Sequence, residues 1–422
     1  MPESNIRSTV EAVWRMESAK IIAKLARMLR DVGRAEELAQ DALVTALEQW
    51  PVSGVPNNPG AWLMVTAKNR ALDQLRRSKL LQRKHQIIAN EAESLVPSAP
   101  SPEEDSDQEV GDDLLRLIFI ACHPVLSTEA RVALTLRLLG GLNTAEIARA
   151  FLVPEPTIGQ RIVRAKRALA EAHVPFEMPR SEELAARLAS VLEVIYLIFN
   201  EGYAATAGEE WMRPALCEEA LRLGRILAEL APREPEVHGL TALMEIQASR
   251  AAARVGPSGQ PILLFEQDRG RWNQLLIGRG LKALERAEGL GGAMGPYALQ
   301  AAVAACHARA RSAGETDWVR IVALYDALAQ LAPSPVVDLN RAVAVSMAFG
   351  PGAGLEIVDD LISDSRLSTY HLLPSVRGDL LQKLGRFDEA RSEFTRAAAL
   401  AQNARERALL LGRAASCGVT AQ

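Results

Sequence analysis

Residues 61–84, AWLMVTAKNRALDQLRRSKLLQRK, read as one helix running into a basic tail. On a helical wheel Ala61, Met64, Val65, Ala67, Ala71, Leu72 and Leu75 fall on one arc, the face expected to bury. The opposite arc carries Trp62, Thr66, Asn69, Arg70, Asp73, Arg76 and Arg77, which sets a large aromatic among guanidinium groups. Single-stranded nucleic acid needs both things: cations for phosphate and a flat ring for a base. The alternative is that Trp62 packs on a neighbouring helix while the charges form a solvated face.

Working outward, 422 residues leave room for two or three domains. Hydrophobic residues at 48% and charged ones at 24% are ordinary for a soluble protein, and aromatics at 5% with abundant Ala and Leu predict an all-α fold. A net charge of -4 argues against a uniformly basic nucleic-acid binder but hides segregation. Seven Lys or Arg stand against Asp73 between residues 61 and 86, whereas residues 87–113 hold nine acids and no base. The four cysteines, Cys122, Cys217, Cys306 and Cys417, show no CxxC and no His at metal spacing, so buried free thiols are expected, with no metal and no cofactor. His123 reads as a helix-end residue before Pro124. No signal-peptide pattern and no 18-residue apolar run occur, which predicts a cytoplasmic location away from membranes.

Before the basic helix, residues 9–29 form a helix with Val13, Met16, Ile21, Leu25 and Met28 as its apolar stripe, and Asp31 and Gly33 punctuate it. Residues 36–50 form the next, with Leu38, Ala42, Val44 and Leu47 available for burial and Glu37, Gln40 and Asp41 on a polar face suited to a protein contact. The loop PVSGVPNNPG, residues 51–60, is a candidate wall for a base pocket. After the acidic linker, Leu114 opens a second helical group, Ser127 caps a helix, and Gly140-Gly141 stops it. Residues 144–169 then give a short helix, a turn at 152–154 and a helix with Pro156 in its first turn. Ile158, Ile162, Ala165 and Leu169 face inward, while Thr157, Gln160, Arg164 and Arg167 face outward, the layout of a helix-turn-helix that reads a DNA groove.

From residue 177 onward the chain is helix after helix. Residues 227–244 and 328–345 echo each other through Leu-Ala-Pro. Gly385, Phe387, Ala390, Phe394 and Ala397 fit a tetratricopeptide unit in which two helices approach closely, predicting a stacked array with a concave surface. The segment PILLFEQDRGRWNQ, residues 261–274, breaks the pattern. Glu266 and Asp268 there could be an acid and base pair, but no nucleophile stands nearby, and a buried knot with Arg269 or Arg271 is the expectation.

The order of these parts resembles an extracytoplasmic-function (group IV) sigma factor of the sigma-70 family. FLVPE, IYLIFNEGY, EQDRGRW and SPVVDLNRAVAV resemble the subgroup with a long C-terminal tetratricopeptide-like extension. The resemblance implies sigma domain 2 at residues 1–86, an acidic flexible linker at 87–113, sigma domain 4 at 114–176 and a regulatory helical extension at 177–422. It assigns Glu37, Gln40 and Asp41 to the clamp helices of the polymerase beta-prime subunit. It assigns Asn58, Trp62, Asn69, Arg70, Arg76 and Arg77 to the -10 element, and Thr157, Gln160, Arg161, Arg164 and Arg167 to the -35 element. Core RNA polymerase, through its clamp helices and beta flap, and promoter DNA are the implied partners, with a regulatory protein or an intramolecular contact at the extension and no catalytic residue. Where the family pattern is richer in Gly and carries a Lys, Leu152, Pro156 and Gly159 stand here. Trp62 is nearly alone where housekeeping members have an aromatic cluster, which implies a strict promoter match. A second reading is a helix-turn-helix activator with a tetratricopeptide sensor that acts without core polymerase; an enzyme centred on residues 266–271 is a third.

Overall fold

The computed structural model describes residues 3–89, 107–257 and 259–419, and the regular structure among them is helical throughout, as the composition predicts. The chain forms two compact units, residues 1–194 and 195–422. The first contains α1 (Glu3–Leu29), α2 (Val32–Ser53), α3 (Pro59–Ala89), α4 (Asp107–Ala121), α5 (Thr128–Leu138), α6 (Thr144–Phe151), α7 (Glu155–Glu171) and the first part of α8 (Ser181–Tyr203). The linker expected at 87–113 is shorter at both ends: α3 runs to Ala89 and α4 begins at Asp107. Residues 90–106, its centre, lie outside the described residues.

Helix α1 departs from a one-sided stripe. Ile21, Ile22, Ala23, Leu25 and Ala26 are all buried, which covers most of the circumference, because α2 and α3 pack on it and α4 packs on it as well. Met16, expected inside, is 62% exposed. On α2, Asp31 caps the first turn by accepting from the Arg34 amide at 3.0 Å, and Ala35, Ala39, Ala42, Ala46 and Trp50 form the buried ridge. Small residues at four-residue spacing let helices approach closely. Val44 and Leu47, expected to bury, remain exposed. The inward arc of α3 is likewise turned from the expected one: Leu63, Ala67 and Ala71 are fully buried, whereas Val65 is 56% exposed. Ala67 and Ala71 bury as expected, but the buried arc is centred nearer Leu63 than Val65 because the small alanines and Leu63 fit the contact.

The helix-turn-helix forms as read. Asn143 and Glu146 make a capping box at α6, Pro156 sits at the start of α7, and Ile158, Ile162, Ala165 and Leu169 are buried. Leu152 ends α6 at φ 51, a left-handed conformation that glycine adopts more readily.

The second unit holds the rest of α8, then α9 (Pro214–Leu230), α10 (Pro235–Ala248), α11 (Gln274–Gly289), α12 (Pro296–Arg309), α13 (Trp318–Leu331), α14 (Pro335–Phe349), α15 (Pro351–Leu361), α16 (Leu372–Lys383), α17 (Phe387–Leu400) and α18 (Ala404–Val419). From α9 on, helices pack mainly on their chain neighbours. The two Leu-Ala-Pro elements have the same local structure: the Ala231 and Ala332 amides bond to the Leu227 and Leu328 carbonyls at 2.8 Å, and a proline opens each following helix. In the expected close-approach unit Ala390, Phe394 and Ala397 are fully buried, but the glycine at the contact is Gly378, where a Cβ would stand 2.9 Å from the Phe394 ring. Gly385 instead makes the turn, at φ +75.

One contact ties the ends of this array together. Asn403 is fully buried; its Nδ2 donates to the carbonyls of Ala205 at 3.2 Å and Glu210 at 2.8 Å, and its Oδ1 accepts from the Arg405 amide at 3.0 Å. The Ala404 amide adds a bond to the Gly208 carbonyl at 2.9 Å. Replacing Asn403 with Ala strands buried carbonyls and amides. It is expected to destabilise this unit by about 2–4 kcal/mol in urea unfolding; a loss below about 0.5 kcal/mol would show that the closure is not a structural tie.

Candidate nucleic-acid interface

Helix α3 presents Asn69, Arg76 and Arg77 to solvent on one side. Trp62 borders them, half-buried, its ring edge-on to the buried Trp50 at 5.5 Å. Both readings of Trp62 therefore meet: one part of the ring packs on α2 and another stays open. Three expected contributors are engaged within the protein, Arg76 by a surface pair with Asp73 at 3.5 Å and the other two in holding the helix. The Asn58 side chain accepts from the Ala61 amide at 3.0 Å and caps α3, and Arg70 bonds Asp41 at 3.3 Å and the Thr45 hydroxyl at 2.6 Å, bracing α3 to α2. The side chains of residues 78–89, the end of the basic tail, lie outside the described ones.

On α7, Thr157, Gln160, Arg161 and Arg164 line a groove of about 420 Å³ together with Ser127 and Glu129 at the start of α5. Hydrogen bonds from its own amide and the Ser127 hydroxyl hold the Glu129 carboxyl below its usual range, and Arg161 acts in the same direction. Arg167 is exposed but outside the groove, paired with Glu171 at 2.7 Å. The structure thus brings four of the five expected α7 residues into one concave surface.

Helix α2 adds a third surface. Glu37, Asp41, Val44 and Glu48 are exposed and recur at helical spacing, an acidic stripe with an apolar centre. The sequence pattern marks Glu37 and Asp41 on this face but not Glu48, and it places Val44 in the core. Gln40 is half-buried and donates to Glu36.

Glu36 was only a helix-opening residue in the sequence, yet it is 2% exposed and sits at the seam between α1–α3 and α4–α7. Arg137 Nε donates to its Oε1 at 2.6 Å, and Lys166 pairs with its Oε2. Arg15 bonds Glu146 at 2.7 Å, and Arg27 stands 3.3 Å from Asp113, across the same seam. Burial raises the Asp113 pKa above the usual carboxylate value even though Arg27 and Arg116 oppose it. A Cβ on Gly141 would meet Ser18 Oγ at 2.9 Å, so backbone also approaches closely here. The knot expected around Glu266 and Asp268 does not form. Asp268 caps its own turn by accepting from the Gly270 amide at 2.9 Å, Glu266 is exposed, and Arg269 bonds elsewhere. All four cysteines are buried free thiols, as read.

A double-mutant cycle of Glu36→Ala with Arg137→Ala is expected to give a coupling of about 1–3 kcal/mol in urea unfolding. Independent effects of the two substitutions would mean that the pair does not hold the seam.

Residues 14–80 match sigma-70 region 2, residues 116–169 match sigma-70 region 4, and residues 187–288 match a family of unknown function (DUF6596). An uncharacterized protein of Rhizobium meliloti is 45% identical over 391 residues, 92% of this chain and 90% of that one. The probable ECF RNA polymerase sigma factor SigI of Mycobacterium tuberculosis is 28% identical over 167 residues, 39% of this chain and 56% of its own length. The ECF RNA polymerase sigma factor SigL of the same organism is 28% identical over 155 residues, 36% and 82% respectively. With the region 2 match falling on α1–α3, the region 4 match on α4–α7, and the likeness to the R. meliloti protein running along nearly the whole of both chains, this chain belongs with that protein to one family, of the ECF sigma-70 type.

Proposed function

We propose that this sigma factor binds core RNA polymerase through the exposed stripe of α2 and reads promoter DNA with α3 and α7. The observation that carries the reading is that each of these three surfaces stays open to solvent on the side of its helix opposite a buried ridge. Glu37, Asp41 and Val44 face solvent on α2, Asn69, Arg76 and Arg77 on α3, and Thr157, Gln160 and Arg164 on α7. The half-open Trp62 supplies a ring for an unstacked base beside arginines that hold phosphate. Thr157, Gln160 and Arg164 suit base edges in a major groove. The two readers lie on either side of the Glu36 seam, so reaching two separated elements requires that seam to part, and engagement of α2 by polymerase is the step that supplies the energy. The protein makes or breaks no bond itself. We read the second unit as a tetratricopeptide-like modulator, supported by its neighbour-on-neighbour packing and its two Leu-Ala-Pro turns. A role as an activator that acts without core polymerase leaves the α2 stripe without a purpose.

The test is run-off transcription with purified core polymerase on templates selected from genomic DNA. Glu37→Lys and Val44→Asp are expected to weaken core binding at least tenfold, about 1.4 kcal/mol or more, while melting as the parent does. Trp62→Ala is expected to keep core binding and lose open-complex formation. Specific duplex binding at full strength without core, with no transcripts when core is added, would replace this reading by the activator.

A further inference from the structure

The connection between α10 and α11, from Ser249 to Asn273, is the long irregular passage in an otherwise helical unit, and connections of this length usually carry function. It sets arginines and aromatic rings in alternation. The Arg254 guanidinium carbon lies 3.5 Å from the Tyr203 ring centre and 5.6 Å from that of Trp211. Arg250 stands 5.8 Å from the same Tyr203 ring and 5.9 Å from Trp272, and Arg269 stands 4.7 Å from Trp272. Neighbouring arginines thus share a ring.

Among the described residues, the hydrogen bonds of these three arginines go to neutral acceptors. Arg254 donates to the Tyr203 carbonyl, and Arg250 to the Tyr203 hydroxyl at 2.6 Å and to Gln247 at 3.1 Å. Arg269 donates to the carbonyls of His307 and of Ala310, the latter at 2.8 Å, and to the Thr316 hydroxyl at 3.3 Å. Nearby acids are committed elsewhere: Glu201 to Arg213, Glu245 to Arg225, Asp268 to its own turn. Glu315 acts on Arg269 only through space. Burial and then the charge of Arg250 depress the proton affinity of Arg269; burial does the same for Arg254, with Tyr203 opposing and Arg250 adding to it; and burial with Arg250 and Arg269 holds His307 neutral, near 4. Trp272, 4% exposed, keeps an indole N–H with no acceptor.

Partly desolvated cations that repel one another are costly, and ring faces offset only part of that cost. An oxyanion offsets the remainder, since guanidinium forks match its geometry. We propose that Arg250, Arg254 and Arg269 form a binding site for a small phosphate-bearing anion. The ring faces already carry guanidinium groups, so recognition is of the phosphate rather than of a base. A carboxylate answers one of three charges, whereas phosphate and above all pyrophosphate answer more. The cluster shares no residue with regions 2 and 4, so the site stands or falls independently of promoter reading.

Titration calorimetry of the full chain with sodium pyrophosphate, inorganic phosphate and acetate at constant ionic strength tests this. The expected result is saturable pyrophosphate binding at one site, weaker phosphate binding, and none for acetate. Arg250→Gln and Arg269→Gln should each weaken pyrophosphate binding at least tenfold. Arg250→Lys, which keeps the charge and loses the fork, should fall between, and Arg164→Ala on the α7 groove should bind as the parent does. Unsaturable binding by the parent, parental affinity in the Arg250 and Arg269 variants, or loss in Arg164→Ala would each overturn the proposal.

Discussion

A carboxylate removed from water is tolerable only when cations and donors replace its hydration, and Glu36 is the point where this chain meets that requirement with groups from two different regions. Arg137 and Lys166 belong to region 4, Glu36 to region 2, so neither region completes the ion cluster by itself. The broad burial of α1 along residues 21–26 is the apolar counterpart of the same constraint: one helix packs against both regions. The Glu36 cluster, the Arg15–Glu146 and Arg27–Asp113 pairs and the shared helix α1 together join the two regions.

The outward surfaces follow from how the inward ones are built. Alanines on α2 and the Leu63, Ala67, Ala71 ridge on α3 allow close helix packing with little bulk, which leaves larger side chains such as Val44 and Val65 to face solvent. Arg70 and Asn58 show the cost of holding α3 in place, since both are spent on bracing and capping it. What stays exposed on α3 is compact, centred on Asn69, Arg77, Arg76 with its neighbour Asp73, and the open side of Trp62.

The second unit spends its polar groups differently. Asn403 satisfies backbone at both ends of the array, and the arginines beside Tyr203 and Trp272 are supported by ring faces and helix-end carbonyls rather than by acids. The first is a structural tie, and in the second no ion pair to an acid is formed by these arginines among the described residues.

The sequence by itself determined what is local. Composition and spacing fixed the helices, Ser127, Asp31 and Pro156 marked their ends, and the motif order pointed to regions 2 and 4 because capping, periodicity and turn chemistry act within a few residues. The outward side of α7 was legible for the same reason: four inward apolar residues leave a single arc for Thr157, Gln160 and Arg164. Tertiary structure alone decided which arc of α3 is buried, that Arg70 is a brace, that Val44 is surface, that Gly378 rather than Gly385 makes the close approach, and that Glu36 meets Arg137 and Lys166. Each depends on which neighbouring helix packs there and at what angle. Burial and ion pairing are set by that packing, and no periodicity within one helix encodes it.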